Sequence, residues 1–284
     1  MLKNITYIIM ICLSTLSTKA QVDVKFLIGS TYYQGDLSPS TNRFSLSPGK
    51  TAWSVQVGYQ FHSHCKIYGK YLTGTIAGRD SESPIDGRRI RNLSFVSPIW
   101  ELGIGTEFNI NKLLPFFDKY GINWYFSVGV NLFHFDPHTI YNGQIVRLQP
   151  LGTEGQGLLG YDKPYSLTQI NIPMGIGLKF KLTTRLDIGF EIVPRITFTD
   201  YIDDVSKEYV NLQLFIDANK PQAAILSNRT GEWLGTEAIN YPTGTVRGNP
   251  GDNDRYVFMA ISVAYHFGTP RELIEVGKKE EQED

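Results

Sequence analysis

The sequence has little cysteine, no excess of charge of either sign, and no long apolar run beyond its first residues. Among its 284 residues there are 2 cysteines, 27 basic and 28 acidic side chains. No basic stripe alternates with aromatic residues, as nucleic-acid binding would require, so we expect no nucleic-acid partner. Beyond the first twenty residues no stretch approaches about 18 unbroken apolar residues, and we expect no membrane-spanning helix.

The first twenty residues have the layout of a secretory signal peptide. Lys3 precedes an apolar stretch from Ile5 to about Leu16, and small or polar residues lead to Ala20, after which we expect cleavage. A single transmembrane anchor is the alternative, but it would need roughly 20 continuous apolar residues. After cleavage Cys65 is the one remaining cysteine, so no disulfide can form within the mature chain.

Alternation is the main pattern that the sequence does contain. In QINIPMGIGLKF, residues 169–180, every even position is apolar and every odd position is polar, proline or glycine. A helix would need apolar residues at i, i+3 and i+4, and it would resist a proline and two glycines in its interior. A β-strand with one apolar and one polar face fits every position.

The same alternation recurs, with varying clarity, along the rest of the chain. In VDVKFLIGSTY, Leu27 is an exception to the alternation, and in KIYGKYLTG both faces mix apolar and polar residues. The further segments are VDVKFLIGSTY, WSVQVGYQF, KIYGKYLTG, WELGIGTEFNI, INWYFSVGVNL, LDIGFEIVPRITF and VFMAISVAYHF. The pattern therefore predicts eight strands.

The connections between these strands alternate in length. Short ones contain HSHC, NKLLPFFDKYG and KLTTR, and long ones cover roughly 34–51, 78–92, 136–165 and 199–254. In an up-and-down arrangement all short turns then lie at one end, which is typical of outer-membrane barrels. Strands of about twelve residues, tilted near 45°, span about 28 Å, close to the thickness of the hydrocarbon layer.

We therefore predict an all-β fold, an eight-stranded antiparallel transmembrane up-and-down β-barrel with short periplasmic turns and long extracellular loops. The sheet must close because lipid offers no hydrogen-bond partners to a free edge. The chain divides into a signal peptide (1–20), an outer-membrane barrel (21–267) and a charged periplasmic tail (268–284). Pro98, Pro173 and Pro194 fall within or beside strands and predict bulges or displaced strand ends.

Charged residues at the inward positions predict a filled interior. Eight strands enclose a space that side chains just fill, and buried charges must pair. We expect a network of salt bridges and hydrogen bonds that holds the wall in register; a narrow ion path or a catalytic carboxylate group is the alternative. The predicted network comprises Lys25, Lys70, Glu101, Glu107, Lys179, Asp187, Glu191 and Arg195, with Gln56 on the same face.

Histidines offer the main alternatives to a purely structural barrel. His134 and His138 lie near the top of the fifth strand, where a hydrolase would need a nucleophile, a base and an acid, but no spacing singles them out. His62 and His64 lie beside Cys65 at a short turn, without the four ligands of a structural zinc site. We assign no catalytic, metal or cofactor residue and expect no small-molecule substrate.

Two acidic segments in the last long connection resemble calcium ligands in composition alone. They are DYIDDVS, residues 200–206, and GDND, residues 251–254. Neither forms a twelve-residue ligand loop. We expect them to be solvated loop acids.

Three segments resemble a known family. YYQGDLSPS after the first strand, FTDYIDDVS after the seventh, and RGNPGDNDRYVFMAISVAYHF through the last are similar to a group of Bacteroidota outer-membrane barrels that includes the PorG component of the type IX secretion system. The resemblance covers residues 21–267. It implies a non-enzymatic barrel that helps to anchor the periplasmic PorK/PorN ring to the outer membrane.

The chain continues past the last strand as GTPRELIEVGKKEEQED. We expect this tail in the periplasm, where it either docks a partner or remains a disordered charged end. The candidate contacts are Arg271, Leu273, Ile274 and Val276. A surface-binding or adhesion barrel that uses the long fourth loop, and an outer-membrane lipid-modifying enzyme, are the other hypotheses.

Overall fold

The computed structural model describes residues 21–38, 49–62, 64–113, 122–242 and 244–267. The predicted signal peptide lies outside these residues. So does the predicted tail, with its four candidate contacts Arg271, Leu273, Ile274 and Val276.

The described residues form one antiparallel sheet of ten strands, eight of which close into a barrel. The strands are β1 (Gln21–Gln34), β2 (Lys50–His62), β3 (Cys65–Arg79), β4 (Ser94–Asn109), β5 (Ile122–Phe135), β6 (His138–Tyr141), β7 (Gln144–Arg147), β8 (Thr168–Lys181), β9 (Leu186–Thr197) and β10 (Arg255–Phe267). Barrel strands that follow one another pair, and β1 pairs with β10 from Val22–Phe267 to Gln34–Arg255. The predicted closed eight-stranded barrel is confirmed.

Alternation along each strand separates an inner from an outer face. In β1, Lys25 and Leu27 are 1% and 0% exposed, whereas Phe26 and Ile28 are 46% and 47% exposed. Successive side chains of a strand point to opposite faces, so the register of the closed sheet decides which residues meet the interior.

The outer face carries exposed apolar residues on all eight barrel strands. They include Val24, Val57, Ile67, Leu102, Ile104, Val130, Ile170, Ile188 and Ile261. A soluble monomer rarely exposes a continuous apolar surface of this extent, whereas a transmembrane barrel presents such a band to lipid. The outer face is therefore the lipid-facing surface of a transmembrane barrel.

No helix in the described part of the chain is long and apolar enough to cross a membrane.

The connections carry short elements of their own. A 3-10 helix (Asp80–Glu82) and α1 (Asp86–Arg91) lie between β3 and β4, α2 (Ile110–Leu113) follows β4, and α3 (Leu212–Asp217), α4 (Pro221–Ser227) and α5 (Thr230–Leu234) lie between β9 and β10. We call the described residues of the four long connections, 35–38, 80–93, 136–167, and 198–242 with 244–254, the cap.

The hairpin of β6 and β7 extends the barrel wall into the cap. β6 continues β5 along the same edge of β4 without a change of register. Ile99 of β4 pairs with Phe135 of β5, and Val96 of β4 pairs with His138 of β6. Its turn is Asn142-Gly143, with positive φ at both residues. Asn-Gly is a strong signal for a two-residue hairpin turn, so this hairpin was readable from the sequence.

No bulge forms at Pro98 or Pro194, so this part of the prediction is wrong. The other predicted outcome, a displaced strand end, is found at Pro98, because β4 begins at Ser94 and not at Trp100. Pro98 pairs with Thr75, and Pro194 with Val257, and the register does not change at either position. A proline removes one N–H donor but requires no extra residue, so the strand continues straight. The shift in register that the structure does contain lies at Gln60–His62, beside a short turn.

Pro173 interrupts the ladder between β8 and β9 without a bulge. Pairing lapses between the pairs Pro173–Arg195 and Ile176–Ile192 and resumes in the same register. This unpaired stretch of β8 lies opposite Pro194 of β9. Pro173 and Pro194 both lack a backbone N–H donor, so both missing donors lie in the same short part of the ladder. One short interruption thus accommodates both residues.

A charge on the outer face tests whether this face contacts lipid. Ile104 is 73% exposed in the middle of β4, and Ile140 is 62% exposed on the hairpin outside the barrel. In lipid vesicles, Ile104→Arg is expected to lower the free energy of unfolding by about 2–4 kcal/mol, measured by urea titration, because an arginine in hydrocarbon is poorly solvated. The matched change Ile140→Arg should stay within about 0.5 kcal/mol of wild type. Equally small effects would contradict a lipid-facing band.

Candidate functional site

Glu107 is the centre of a charged group in the half of the barrel near the short turns. Its carboxylate lies 2.7 Å from Lys25 Nζ and 3.0 Å from Lys66 Nζ, and it accepts a hydrogen bond of 2.7 Å from Gln56 Nε2. Lys179 also pairs with it. Several cations therefore converge on one buried carboxylate, which needs such partners to remain charged away from water.

Neighbouring residues extend this group across the interior. Lys25 Nζ lies 3.3 Å from Glu191, whose carboxylate accepts a hydrogen bond of 2.7 Å from the Tyr125 hydroxyl. Lys66 Nζ lies 3.1 Å from Asp23. The whole group thus joins seven of the eight barrel strands by side chains across the interior as well as by their backbone ladders.

A second charged group lies further towards the long connections. Arg195 Nε lies 2.9 Å from Glu101, and both side chains are fully buried. The same carboxylate accepts hydrogen bonds of 2.7 Å from the Tyr256 hydroxyl and 2.9 Å from Asn131 Nδ2. Every oxygen of Glu101 therefore has a partner, as a buried carboxylate requires.

The structure places every predicted network residue inside the barrel but does not join them all. Asp187 pairs with His266 at 2.8 Å near the short turns, apart from both groups. Lys70 is 5% exposed, and within the described residues it joins neither set of ion pairs. Lys66 was missing from the predicted network because strand three has mixed faces. Asp23 was missing although it alternates with Val22 and Val24 and so lies on the same face of strand one as Lys25.

An apolar layer fills the interior between the charged groups and the cap. It includes the buried side chains Leu27, Leu72, Phe95, Phe133, Phe135 and Phe258. Charged residues alone do not fill the barrel, so the predicted network covers only one half of the interior. The signal was present in the sequence: Leu27, an exception to the outward pattern, and the two phenylalanines of LFHF occupy inward positions.

The cap is held together by two arginines, the partly buried Arg91 and the buried Arg247. Arg91 makes a two-point contact with Asp80, at 2.7 and 2.8 Å, and donates to the carbonyl oxygens of Asp36 and Arg247. Arg247 donates to Glu154 at 2.8 Å and to backbone carbonyls of the fourth connection. All four long connections are therefore tied to one another across the mouth of the barrel.

Four of the five aspartates in the acidic segments of the fourth connection are not solvated as predicted, whereas Asp252 is exposed. Asp200, Asp203, Asp204 and Asp254 are exposed by 7%, 1%, 0% and 0%. The prediction was wrong because the long connections fold over the mouth and supply hydrogen-bond donors there. Asp204, for example, accepts a hydrogen bond of 2.7 Å from the Tyr165 hydroxyl.

Burial changes the acidity of these groups in the cap. Burial raises the pKa of Asp200 to about 9 and that of Asp203 to about 8. It raises the pKa of Asp204 to about 6, although Arg247 opposes the shift. For Asp254, burial and then the charges of Asp203 and Asp200 raise the pKa well above its usual range. The cap therefore holds acids that keep protons near neutral pH.

The histidines near the end of β5 take up structural contacts. His134 stacks on Trp100, with ring centroids 5.6 Å apart, and its Nδ1 lies 2.9 Å from the Thr168 hydroxyl. His138 Nε2 lies 3.7 Å from Asp136. Since β5 directs His134 to the outer face, the two histidines do not converge on the mouth.

The histidines of the short turn lie close together. The Nδ1 atoms of His62 and His64 are 3.1 Å apart, and their rings stack. Across the described residues, no group of three or more His, Cys, Asp or Glu is arranged to hold a metal ion.

Comparisons with known proteins give a family and several barrels of similar build. A family model described as "Domain of unknown function (DUF6089)" matches residues 2–220. The comparison with curated proteins found no match.

Among solved structures, the chain is similar to Ail, the attachment invasion locus protein of Yersinia pestis, with 9% identity, a TM-score of 0.40, and coverage of 88% of this chain and 99% of that chain. Neisserial surface protein A gives 8% identity, a TM-score of 0.39, and coverage of 87% and 96%. The outer membrane enzyme PagL gives 12% identity, a TM-score of 0.28, and coverage of 86% and 98%. The assignment of a closed barrel to this chain rests on the pairing of its own strands.

The buried pair of Arg195 and Glu101 provides a test of the interior network. Arg195→Met is expected to lower the free energy of unfolding by about 3–5 kcal/mol, because it leaves a buried carboxylate without its cation. Adding Glu101→Gln should restore a large part of the loss, as measured by urea titration of the double-mutant cycle in lipid vesicles. The control Arg147→Met, at a half-exposed arginine, should cost about 1 kcal/mol or less. Strictly additive effects of the two interior changes would contradict the network.

Proposed function

The chain belongs to the family described as a domain of unknown function (DUF6089). Because three of its segments resemble the barrels that include PorG, we propose that it is a PorG-like structural component of the type IX secretion system. In this role it is a non-enzymatic barrel of the bacterial outer membrane, with its short turns and C-terminal tail in the periplasm. It anchors the periplasmic PorK/PorN ring to the outer membrane.

The closed interior is the observation that carries this proposal. Charged groups fill one half of the barrel, an apolar layer fills the other, and the cap covers the mouth. A barrel filled in this way has no wide path for solutes and resists deformation. An anchor for a large assembly needs these two properties, a closed interior and a rigid wall.

The position of the last strand supports a contact on the periplasmic side. Phe267 pairs with Val22 at the short-turn end, where β10 ends. Residues 268–284 therefore start at this end of the barrel, beside the first residues of β1. In the proposed orientation they start in the periplasm, and Leu273, Ile274 and Val276 are the apolar residues available for a ring subunit.

The segments that carry the family resemblance meet in the folded chain. Tyr33 and Asp36 come from the first segment, Asp203 from the second, and Arg247 and Asp254 from the third. All five are buried in or beside the cap. The resemblance therefore concerns one structural unit over the barrel mouth, which supports the shared architecture more directly than it supports the shared partner.

Crosslinking from the tail tests the proposed partner. A photo-reactive amino acid at Ile274 in native membranes is expected to capture a periplasmic ring subunit, identified by mass spectrometry. The same group at Ile145, which is 76% exposed on the hairpin at the opposite end, is the matched control and should not capture it. Capture of no ring subunit from Ile274, together with normal secretion after deletion of the gene, would contradict the role.

A surface-binding barrel is the alternative function, and exposed apolar residues of the cap favour it. Leu159 is 101% exposed, and Trp233 and Leu234 are 49% and 53% exposed. If the fourth connection binds an external partner, Trp233→Asp with Leu234→Asp should abolish that binding and leave secretion unchanged. Loss of secretion in this variant would instead favour the secretion role.

A further inference from the structure

Two carboxyl groups share one phenol at the mouth of the barrel. The Tyr33 hydroxyl oxygen lies 2.6 Å from Asp203 Oδ2 and 2.6 Å from Asp254 Oδ1. Both distances are those of hydrogen bonds between oxygens. A phenol has one proton to donate, so the second bond requires a proton on one of the two carboxyl groups.

The backbone contacts indicate which carboxyl group carries this proton. Both oxygens of Asp203 accept backbone N–H groups, from Leu37 at 3.1 Å and from Val205 at 2.9 Å. Asp254 Oδ2 accepts the N–H of Ile202 at 2.8 Å, whereas its Oδ1 meets the Tyr33 hydroxyl. The proton therefore belongs on Asp254 Oδ1, which donates to Tyr33, while Tyr33 donates to Asp203.

We propose that this bound proton is a latch that holds the cap closed over the barrel, and that opening of the cap releases it. Tyr33 comes from the end of β1, Asp203 from the fourth connection shortly after β9, and Asp254 from the last residue of that connection, before β10. One shared proton therefore joins both ends of the fourth connection to the rim of the barrel, and the Leu37 N–H on Asp203 adds the first connection.

The surroundings favour the protonated state. Charged groups face the latch from each packed connection: Asp36 from the first, Arg91 from the second, Glu154 from the third and Asp200 from the fourth. Arg91 is already bound by Asp80. Asp200 is 7% exposed, and its Oδ2 has no hydrogen-bond partner among the described residues. An ionised Asp254 would add a further negative charge to a buried place where acids outnumber bases.

Loss of the proton would loosen the segments that cover the apolar layer. Leu37, Ile202 and Val205 are 2%, 0% and 1% exposed, and their own N–H groups are the ones bound by the two aspartates. Tyr33 packs edge-on against Phe95, with ring centroids 4.8 Å apart. Opening would therefore bring water to the upper end of the interior.

The direction of the pH dependence follows from the acidity of the closed cap. Burial, and then the charges of Asp203 and Asp200, raise the pKa of Asp254 in the closed cap well above its usual range, whereas exposed aspartates titrate near about 3.9. Between these two pKa values the closed state holds one more proton than the open state. The stabilisation is fully present below about pH 4 and is lost as the pH rises through the raised pKa of Asp254, so opening becomes up to about tenfold easier per pH unit for this one released proton.

Hydrogen exchange of the cap tests the latch. The purified barrel in lipid vesicles is followed by mass spectrometry between pH 5 and 8, with rates corrected for intrinsic exchange. Protection of residues 199–206 is expected to fall by up to about tenfold per pH unit. In Asp254→Asn the amide donates to Tyr33 in place of the carboxylic acid, so the pH dependence that the Asp254 proton supplies should disappear and the slope for this segment should fall by up to about tenfold per pH unit. The pH dependence that remains comes from the other buried acids of the segment, Asp200 and Asp204. Asp217→Asn, an exposed aspartate of the same connection, should behave as wild type.

Three results would overturn the latch. They are a flat profile in wild type, an unchanged slope in Asp254→Asn, and protection that depends on added calcium chloride rather than on pH. If Asp254→Asn fails to fold, infrared spectroscopy of the wild-type barrel decides: a carboxylic-acid carbonyl band at pH 6 that disappears as the cap opens is expected. Absence of that band would show that no proton is held.

Discussion

The ladder between β1 and β10 closes the ring, and the arrangement of every other part of the barrel follows from that closure. Backbone groups cannot remain unpaired in hydrocarbon, so a membrane-spanning sheet needs this last ladder, from Val22–Phe267 to Gln34–Arg255. Once the ring is closed, alternation assigns every side chain either to lipid or to the interior. The interior of eight strands must then be filled, because it is too narrow for a wide channel.

The interior is filled in layers that differ in chemistry. Near the short turns, carboxylates and ammonium groups pair around Glu107; next come Glu101 and Arg195; then aromatic and aliphatic side chains; and finally the cap, held by Arg91 and Arg247. Each layer ties strands that are distant in sequence. A rigid, sealed barrel follows, and both the proposed anchoring role and the proposed latch depend on that rigidity.

The sequence was sufficient for the barrel but not for the cap. Alternation is a local property, so QINIPMGIGLKF and its counterparts predict the strands and the inward position of Glu101 directly. Whether Asp203 and Asp254 are buried depends on the way in which the long connections fold across the mouth of the barrel. No local sequence pattern encodes that contact. Two features were readable and missed: the Asn142-Gly143 turn, and Leu27 with Phe133 and Phe135 as an apolar layer.

The outer face of the closed ring contacts lipid. A nitroxide spin label at residue 261, where Ile261 is 62% exposed on β10, tests this contact directly in vesicles. We expect the label to be highly accessible to oxygen, which dissolves in hydrocarbon, and poorly accessible to a polar nickel complex. High accessibility to the nickel complex, or low accessibility to both reagents, would contradict contact with lipid.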